Sequence, residues 1–212
     1  MPFPKGYLFP KKESVDGWYS RGYLPHLDRE GITQLVCDRL WDSMPKEVLE
    51  GWKQELTQLS KEDYDLERRK RIDAYLDQGW GSCLLRDARA AEIVQNNWLH
   101  FAGDRYILHA WVVMPNHTHI LFTPLPGWDL ARIVHSWKSY TAHKINKLLA
   151  RSGKLWQDEP FDRYIRDARH FDNALAYVEN NPVKAGLCKK PEDWPWSSAY
   201  WRSRPANKKK NS

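Results

Sequence analysis

The sequence predicts an α+β fold: a ferredoxin-like, RRM-like βαββαβ antiparallel sheet with helices on one face. A further helix closes the chain, and a helical insert follows the first strand. Three observations predict it. Extended runs and 3.6-residue periodicity succeed one another in the order strand, helix, strand, strand, helix, strand. Two of the strands are separated only by Pro115-Asn116, which forces an antiparallel hairpin. Polar helical sequence separates the first strand from the next helix, and this order is the split βαβ arrangement.

The elements follow in order. Residues 1–31, rich in Pro, Gly and Tyr, show no clean period and read as an irregular wrap. Ile32–Leu40 is β-branched and apolar, hence a first strand, although Asp38 fits it poorly and has no account from pattern alone. Residues 45–78 read as polar helix, with Pro45 in a first-turn position and Leu49, Trp52 and Leu56 at helical steps. Its run Glu67-Arg68-Arg69-Lys70-Arg71 is expected to be a solvated face. A helix over 87–101 carries Ala91, Val94, Trp98 and Phe101 on one side. Strands at Tyr106–Met114 and His117–Thr123 form the hairpin. A helix from Asp129 to Arg151 buries Leu130, Ile133, Val134, Trp137, Thr141 and Leu148 before Gly153 stops it. A strand at Phe161–Ile165 and a helix from Ala168 to Asn181 follow, and Pro182 is expected to end that helix. Residues 32–200 thus read as one domain with the insert 45–78, and 201–212 as a basic tail.

Composition narrows the function. The 212 residues carry 33 Lys+Arg and 27 Asp+Glu, and residues 128–212 alone hold 17 basic against 9 acidic, so the basic excess lies in the C-terminal part. Such asymmetry suits a polyanion-facing side. Twelve tryptophans are mostly core, though aromatic side chains also stack on unpaired bases. No apolar run is long enough for a membrane span. The three scattered cysteines form no C-x-x-C pair, and with the lack of a signal-like N-terminus they point to the cytoplasm.

His117-Thr118-His119 is the sharpest chemical feature. Alternate strand residues share a face, so both imidazoles project together, suited to a divalent cation, and Thr118 points the other way. In the last helix Phe171, Ala174, Leu175 and Val178 form the apolar stripe. Tyr177 lies roughly 100° off its centre, with Asn181 one turn on. Taken alone, that pair better fits a rim tyrosine and a helix-end asparagine than a nucleophile beside a metal ligand.

These segments together resemble the REP-associated tyrosine transposases, domesticated relatives of the single-tyrosine HUH transposases of insertion sequences. The resemblance rests on Trp111-Val112-Val113-Met114-Pro115-Asn116-His117-Thr118-His119, then Trp137-Lys138-Ser139, Leu155-Trp156-Gln157 and Phe161-Asp162-Arg163. It continues through Ile165-Arg166-Asp167, Tyr177-Val178-Glu179-Asn180-Asn181-Pro182-Val183-Lys184-Ala185-Gly186-Leu187 and Trp194-Pro195-Trp196-Ser197-Ser198. Upstream, Tyr23-Leu24-Pro25-His26 and Tyr75-Leu76-Asp77-Gln78-Gly79 also fit. It implies that His117, His119 and Asn181 bind a divalent ion (Mg²⁺ or Mn²⁺) and that Tyr177 is the catalytic nucleophile on the terminal helix. It further implies cleavage of single-stranded or hairpin DNA at palindromic repeats through a 5′-phosphotyrosine and strand transfer without a nucleotide cofactor, and it favours action as a monomer over a homodimer while leaving that choice open. Thr118 departs from the bulky apolar residue usual at the middle HUH position. Lys138, Arg163, Arg166 and Lys184 are the candidate phosphate contacts.

Two rival readings stand beside this one. A non-catalytic nucleic-acid binder on the same fold predicts binding without cleavage. A plain metal hydrolase using His117 and His119 predicts indifference to loss of Tyr177.

Overall fold

A computed structural model describes residues 18–20, 25–27 and 31–204. Within the stretch expected to be irregular, β1 (Trp18–Ser20) pairs antiparallel with β2 (Pro25–Leu27). The rest of 1–30 and the Lys208-Lys209-Lys210 tail lie outside the described residues.

The chain then runs β3 (Gln34–Arg39), α1 (Lys46–Glu55), α2 (Lys61–Asp77), α3 (Ala88–Phe101), β4 (Tyr106–Val113) and β5 (His117–Pro124). It continues with α4 (Leu130–Leu148), β6 (Phe161–Tyr164), α5 (Ala168–Lys184) and α6 (Ser198–Ser203). The main sheet has the order β4-β5-β3-β6, all pairs antiparallel. With β3 counted as first strand this is the 2-3-1-4 order of the βαββαβ fold, as the sequence predicts.

Strand alternation sorts the residues onto two faces. Val36, Leu40, Ile120 and Phe122 face α3 and α4, whose Val94, Trp98, Ile133 and Trp137 complete the larger core. Edge-to-face rings tie it together: Trp137 lies 5.1 Å from Tyr106 and 4.9 Å from Phe122, and the buried Tyr106 hydroxyl donates to Trp98 O at 2.7 Å. On the other face Leu35, Ala110, Val112 and Leu121 receive Ala174 and Val178 of α5. Small side chains at Ala110 and Ala174 let helix and sheet approach closely.

Two boundaries differ from expectation. The insert is two helices, because Ser60 starts a new one by accepting from Asp63 N. The terminal helix continues through Pro182 to Lys184. Proline removes only the bond to the Val178 carbonyl, and helical bonds resume with Ala185 N donating to Asn181 O at 2.9 Å.

Asp38 also gains an account. It points to the α4 face, where Lys138 Nζ lies 3.4 Å from its Oδ1. Thr118 sits beside it, buried, with its hydroxyl 3.4 Å from Asp38 O and so directed away from His117 and His119.

Candidate active site

The hairpin turn sets the two histidines. Met114 N donates to His117 O, while the turn carbonyls of Asn116 and Pro115 accept from Leu40 N and Leu85 N. The turn is thereby held from both sides. His117 and His119 then project on the α5 face, ring centroids 4.9 Å apart. Both rings are buried. Burial, with the Lys184 charge, lowers the His119 pKa to about 3. Burial, then the neighbouring His119 and Lys184, lowers that of His117. Both imidazoles are therefore neutral at neutral pH and keep a lone pair for a ligand.

Helix α5 brings the phenol to them. Its start is fixed by Asp167, whose carboxylate accepts from His170 N at 2.7 Å. One face packs on the sheet, and Tyr177 at its margin places its ring 5.2 Å from that of His119. One turn on, the buried Asn181 donates Nδ2 to Tyr177 O at 2.9 Å, which leaves its Oδ1 over. His117 Nε2, His119 Nε2 and Asn181 Oδ1 are all buried with no hydrogen-bond partner.

Three unpartnered acceptors in the layer between sheet and helix would be costly unless something binds them. Two neutral imidazoles and an amide oxygen are a donor set that fits a divalent cation. Among the described residues no group of three His, Cys, Asp or Glu side chains is arranged this way. The third donor here is an amide.

Burial first, then the neighbouring Asp73 and Cys37, raises the Tyr177 pKa, while the Asn181 amide opposes this. Cys37 is the register partner of His119, but burial and Asp73 push its thiol well up. It is kept protonated and is a poor competitor as nucleophile.

The basic candidates divide. Arg163 lies on β6 opposite Leu35, hence on the α5 face, and its Nε is buried without a partner. Its pKa is lowered by burial and then by the Arg69 and Arg166 charges, so three guanidinium groups cluster there. Lys184 pairs with Asp77 at 3.0 Å and stays about half exposed. Lys138 is not brought to the site. It lies across the sheet, donating to Gln157 O and Asp158 O besides pairing with Asp38, because α4 covers the opposite face.

Sequence reasoning missed Asp73, Asp77 and Arg69 on the insert and the structural role of Asn116. Asp73 and Asp77 are one turn apart on α2, each next to a buried residue, Ile72 or Leu76. That spacing signals a shared helix side, but nothing in it points to a tyrosine a hundred residues later.

Residues 89–181 match the family model described as Transposase IS200 like, a stretch that contains His117, His119, Tyr177 and Asn181. The solved structure of a REP-associated tyrosine transposase bound to a REP hairpin has the same fold. It superposes with a TM-score of 0.50 at 20% identity, over 86% of this chain and 82% of that one. The matched stretch is therefore similar to the IS200-like transposases. More particularly, part of the chain is similar to REP-associated tyrosine transposases. That of Escherichia coli (strain K12) is 29% identical over 93 residues, 44% of this chain and 54% of the relative. A second, provisionally so named, from Haemophilus influenzae (strain ATCC 51907 / DSM 11121 / KW20 / Rd) is 31% identical over 99 residues, 42% of this chain and 56% of the relative. The matches span about half the length of these curated relatives. No described helix is long and apolar enough to cross a membrane.

Proposed function

We propose that the protein is a metal-dependent single-strand DNA endonuclease and strand-transferase acting at hairpin-forming palindromic repeats. The observation that carries this reading is the meeting of Tyr177 with three unpartnered acceptors, His117 Nε2, His119 Nε2 and Asn181 Oδ1. A divalent cation, Mg²⁺ or Mn²⁺, held by these three would neutralise charge on the scissile phosphate. The chain itself supplies the rest. Tyr177 Oη attacks phosphorus in line, the bond to the 3′ oxygen breaks, and the 5′-phosphate stays on the tyrosine. The link conserves the energy of the broken bond, so a 3′-hydroxyl can reverse the step without a nucleotide cofactor. Arg163 lies near the phenol, with Arg166 beside it and Lys184 on α5, and the three suit phosphate contacts that hold the strand. Tyr177 reaches the histidines of its own chain, which supports action as a monomer.

The test is incubation of the chain with labelled single-stranded DNA hairpins and Mn²⁺, followed by denaturing electrophoresis. Wild-type protein forms a covalent adduct that chelator prevents, and Tyr177→Phe forms none while still binding DNA. Adducts that persist in the Phe variant would refute the reading. Binding without any cleavage would favour a non-catalytic binder, and cleavage indifferent to Tyr177 a plain metal hydrolase.

A further inference from the structure

Tryptophan is on average a highly buried residue, because it has so much apolar surface to remove from water. Trp41 and Trp80 depart from this, being 41% and 52% exposed. Neither is a member of the apolar clusters that fill the two faces of the sheet.

Both are nevertheless held in place. Trp41 follows β3, where its N donates to Leu155 O at 2.8 Å and its O accepts from Gln157 Nε2. Trp80 follows α2, where its Nε1 donates to Gln78 Oε1 at 3.0 Å and its ring lies 6.0 Å from that of Tyr75. The turns that carry the two indoles are clamped together. Ser82 N donates to Asp42 Oδ2 at 2.8 Å, and the backbones approach so closely that a Cβ on Gly81 (φ +85°) would stand 2.6 Å from Asp42 O.

The clamp is also tied to the candidate cation ligands. Arg39 is the register partner of His117, and Leu40 N donates to Asn116 O at 2.9 Å, so Trp41 lies at the end of the sheet where β5 begins. Trp80 O accepts from Asn116 Nδ2 at 3.0 Å, and Asn116 Oδ1 lies 2.8 Å from His117 Nδ1. Two outward indoles thus stand at the histidine end of the sheet. The Lys154 ammonium lies 3.9 Å from the centre of the Trp41 ring, a cation set beside an aromatic face. That pairing suits a nucleotide, whose base stacks while its phosphate meets the charge. A duplex hides its base faces within the stack, so only an unpaired segment can use them. Side chains fixed beforehand lose little freedom in making the contact.

We propose, on the nuclease reading above, that Trp41 and Trp80 are stacking platforms for unpaired bases flanking the DNA hairpin, so that the strand is gripped by its bases beside the site of cleavage.

The experiment is fluorescence anisotropy of the full chain with Mn²⁺ and labelled DNA hairpins carrying randomised single-stranded flanks, abasic flanks of equal length, or no flanks. Wild-type protein binds base-bearing flanks more tightly than abasic ones, although both carry the same phosphates. Trp41→Ala and Trp80→Ala each weaken binding of base-bearing flanks by about 5- to 150-fold and leave blunt hairpins bound as by wild type. Trp41→Phe and Trp80→Phe keep most of the affinity. Equal wild-type affinity for base-bearing and abasic flanks overturns the inference and leaves the nuclease reading standing. So do Ala variants that bind base-bearing flanks as wild type does, or that lose affinity equally for all three DNAs. Base-dependent binding without a covalent adduct at Tyr177 overturns the nuclease reading alone, and wild-type protein that binds no hairpin overturns both.

Discussion

Asn116 Oδ1 lies 2.8 Å from His117 Nδ1, while Asn116 Nδ2 donates to Leu76 O and Trp80 O at 3.1 and 3.0 Å. The amide oxygen can only accept, so His117 Nδ1 carries the proton and Nε2 keeps its lone pair. One side chain thus fixes the imidazole and ties it to the end of the insert. Truncation as Asn116→Ala is expected to weaken Mn²⁺ binding about 10- to 100-fold, as losses of such supporting hydrogen bonds do. Calorimetric titration measures this, and unchanged affinity would remove Asn116 from that role.

Arg163 should act on DNA through charge. Its guanidinium shares a small region with those of Arg69 and Arg166, and an anion there would relieve their repulsion. Arg163→Met is expected to lower DNA affinity and reduce the slope of log K against log salt by about one. Fluorescence anisotropy across a salt series reads both. An unaltered slope would mean that no phosphate is met there.

Lys138 should behave differently. It is 16% exposed and paired with the buried Asp38. Lys138→Met leaves that carboxylate buried without its cation, at a cost of about 3 kcal/mol in urea unfolding. The salt slope of DNA binding is expected to stay as in wild type. A lowered slope with unchanged stability would instead make Lys138 a phosphate contact.

Acid should destabilise the fold through the partly buried His109. His109 hydrogen-bonds Thr123 Oγ1 at 2.8 Å, and burial lowers its pKa to about 4. The unfolded chain binds that proton near pH 6.5, so it takes up protons first as pH falls. The contribution is full above pH 6.5 and is lost progressively toward pH 4. Between pH 7 and pH 5 it amounts to about 2 kcal/mol. His109→Gln is expected to lose that much less stability over the interval in urea titrations, and an equal loss in both proteins would contradict it.

The fold was legible in the sequence because burial on both faces of a central sheet writes itself as period. Val36, Ile120 and Phe122 alternate with residues of the opposite face, and the stripe from Leu130 to Trp137 sits at helical steps. His117 and His119 were legible for the same reason: strand alternation alone puts them side by side. The link to Tyr177 came from resemblance, since the position of α5 depends on packing that no local pattern records. Pro182 misled because a proline costs a helix one hydrogen bond, and packing of Val178 and Pro182 outweighs it. The insert was the least legible part. Its charged run reads as solvated surface, and only the docking of Ile72 and Leu76 shows which side turns inward.

The segment after α5 has a consequence for how this protein keeps company. Trp194 Nε1 donates to Val113 O, Val113 N donates to Trp196 O, and Val112 bridges to Ser197. These bonds lie along the outer border of β4, where a bare row of amides and carbonyls would invite another polypeptide. Occupied from within, the Val112–Val113 end of that border is not open to another strand. The sheet is closed to lateral growth at that stretch.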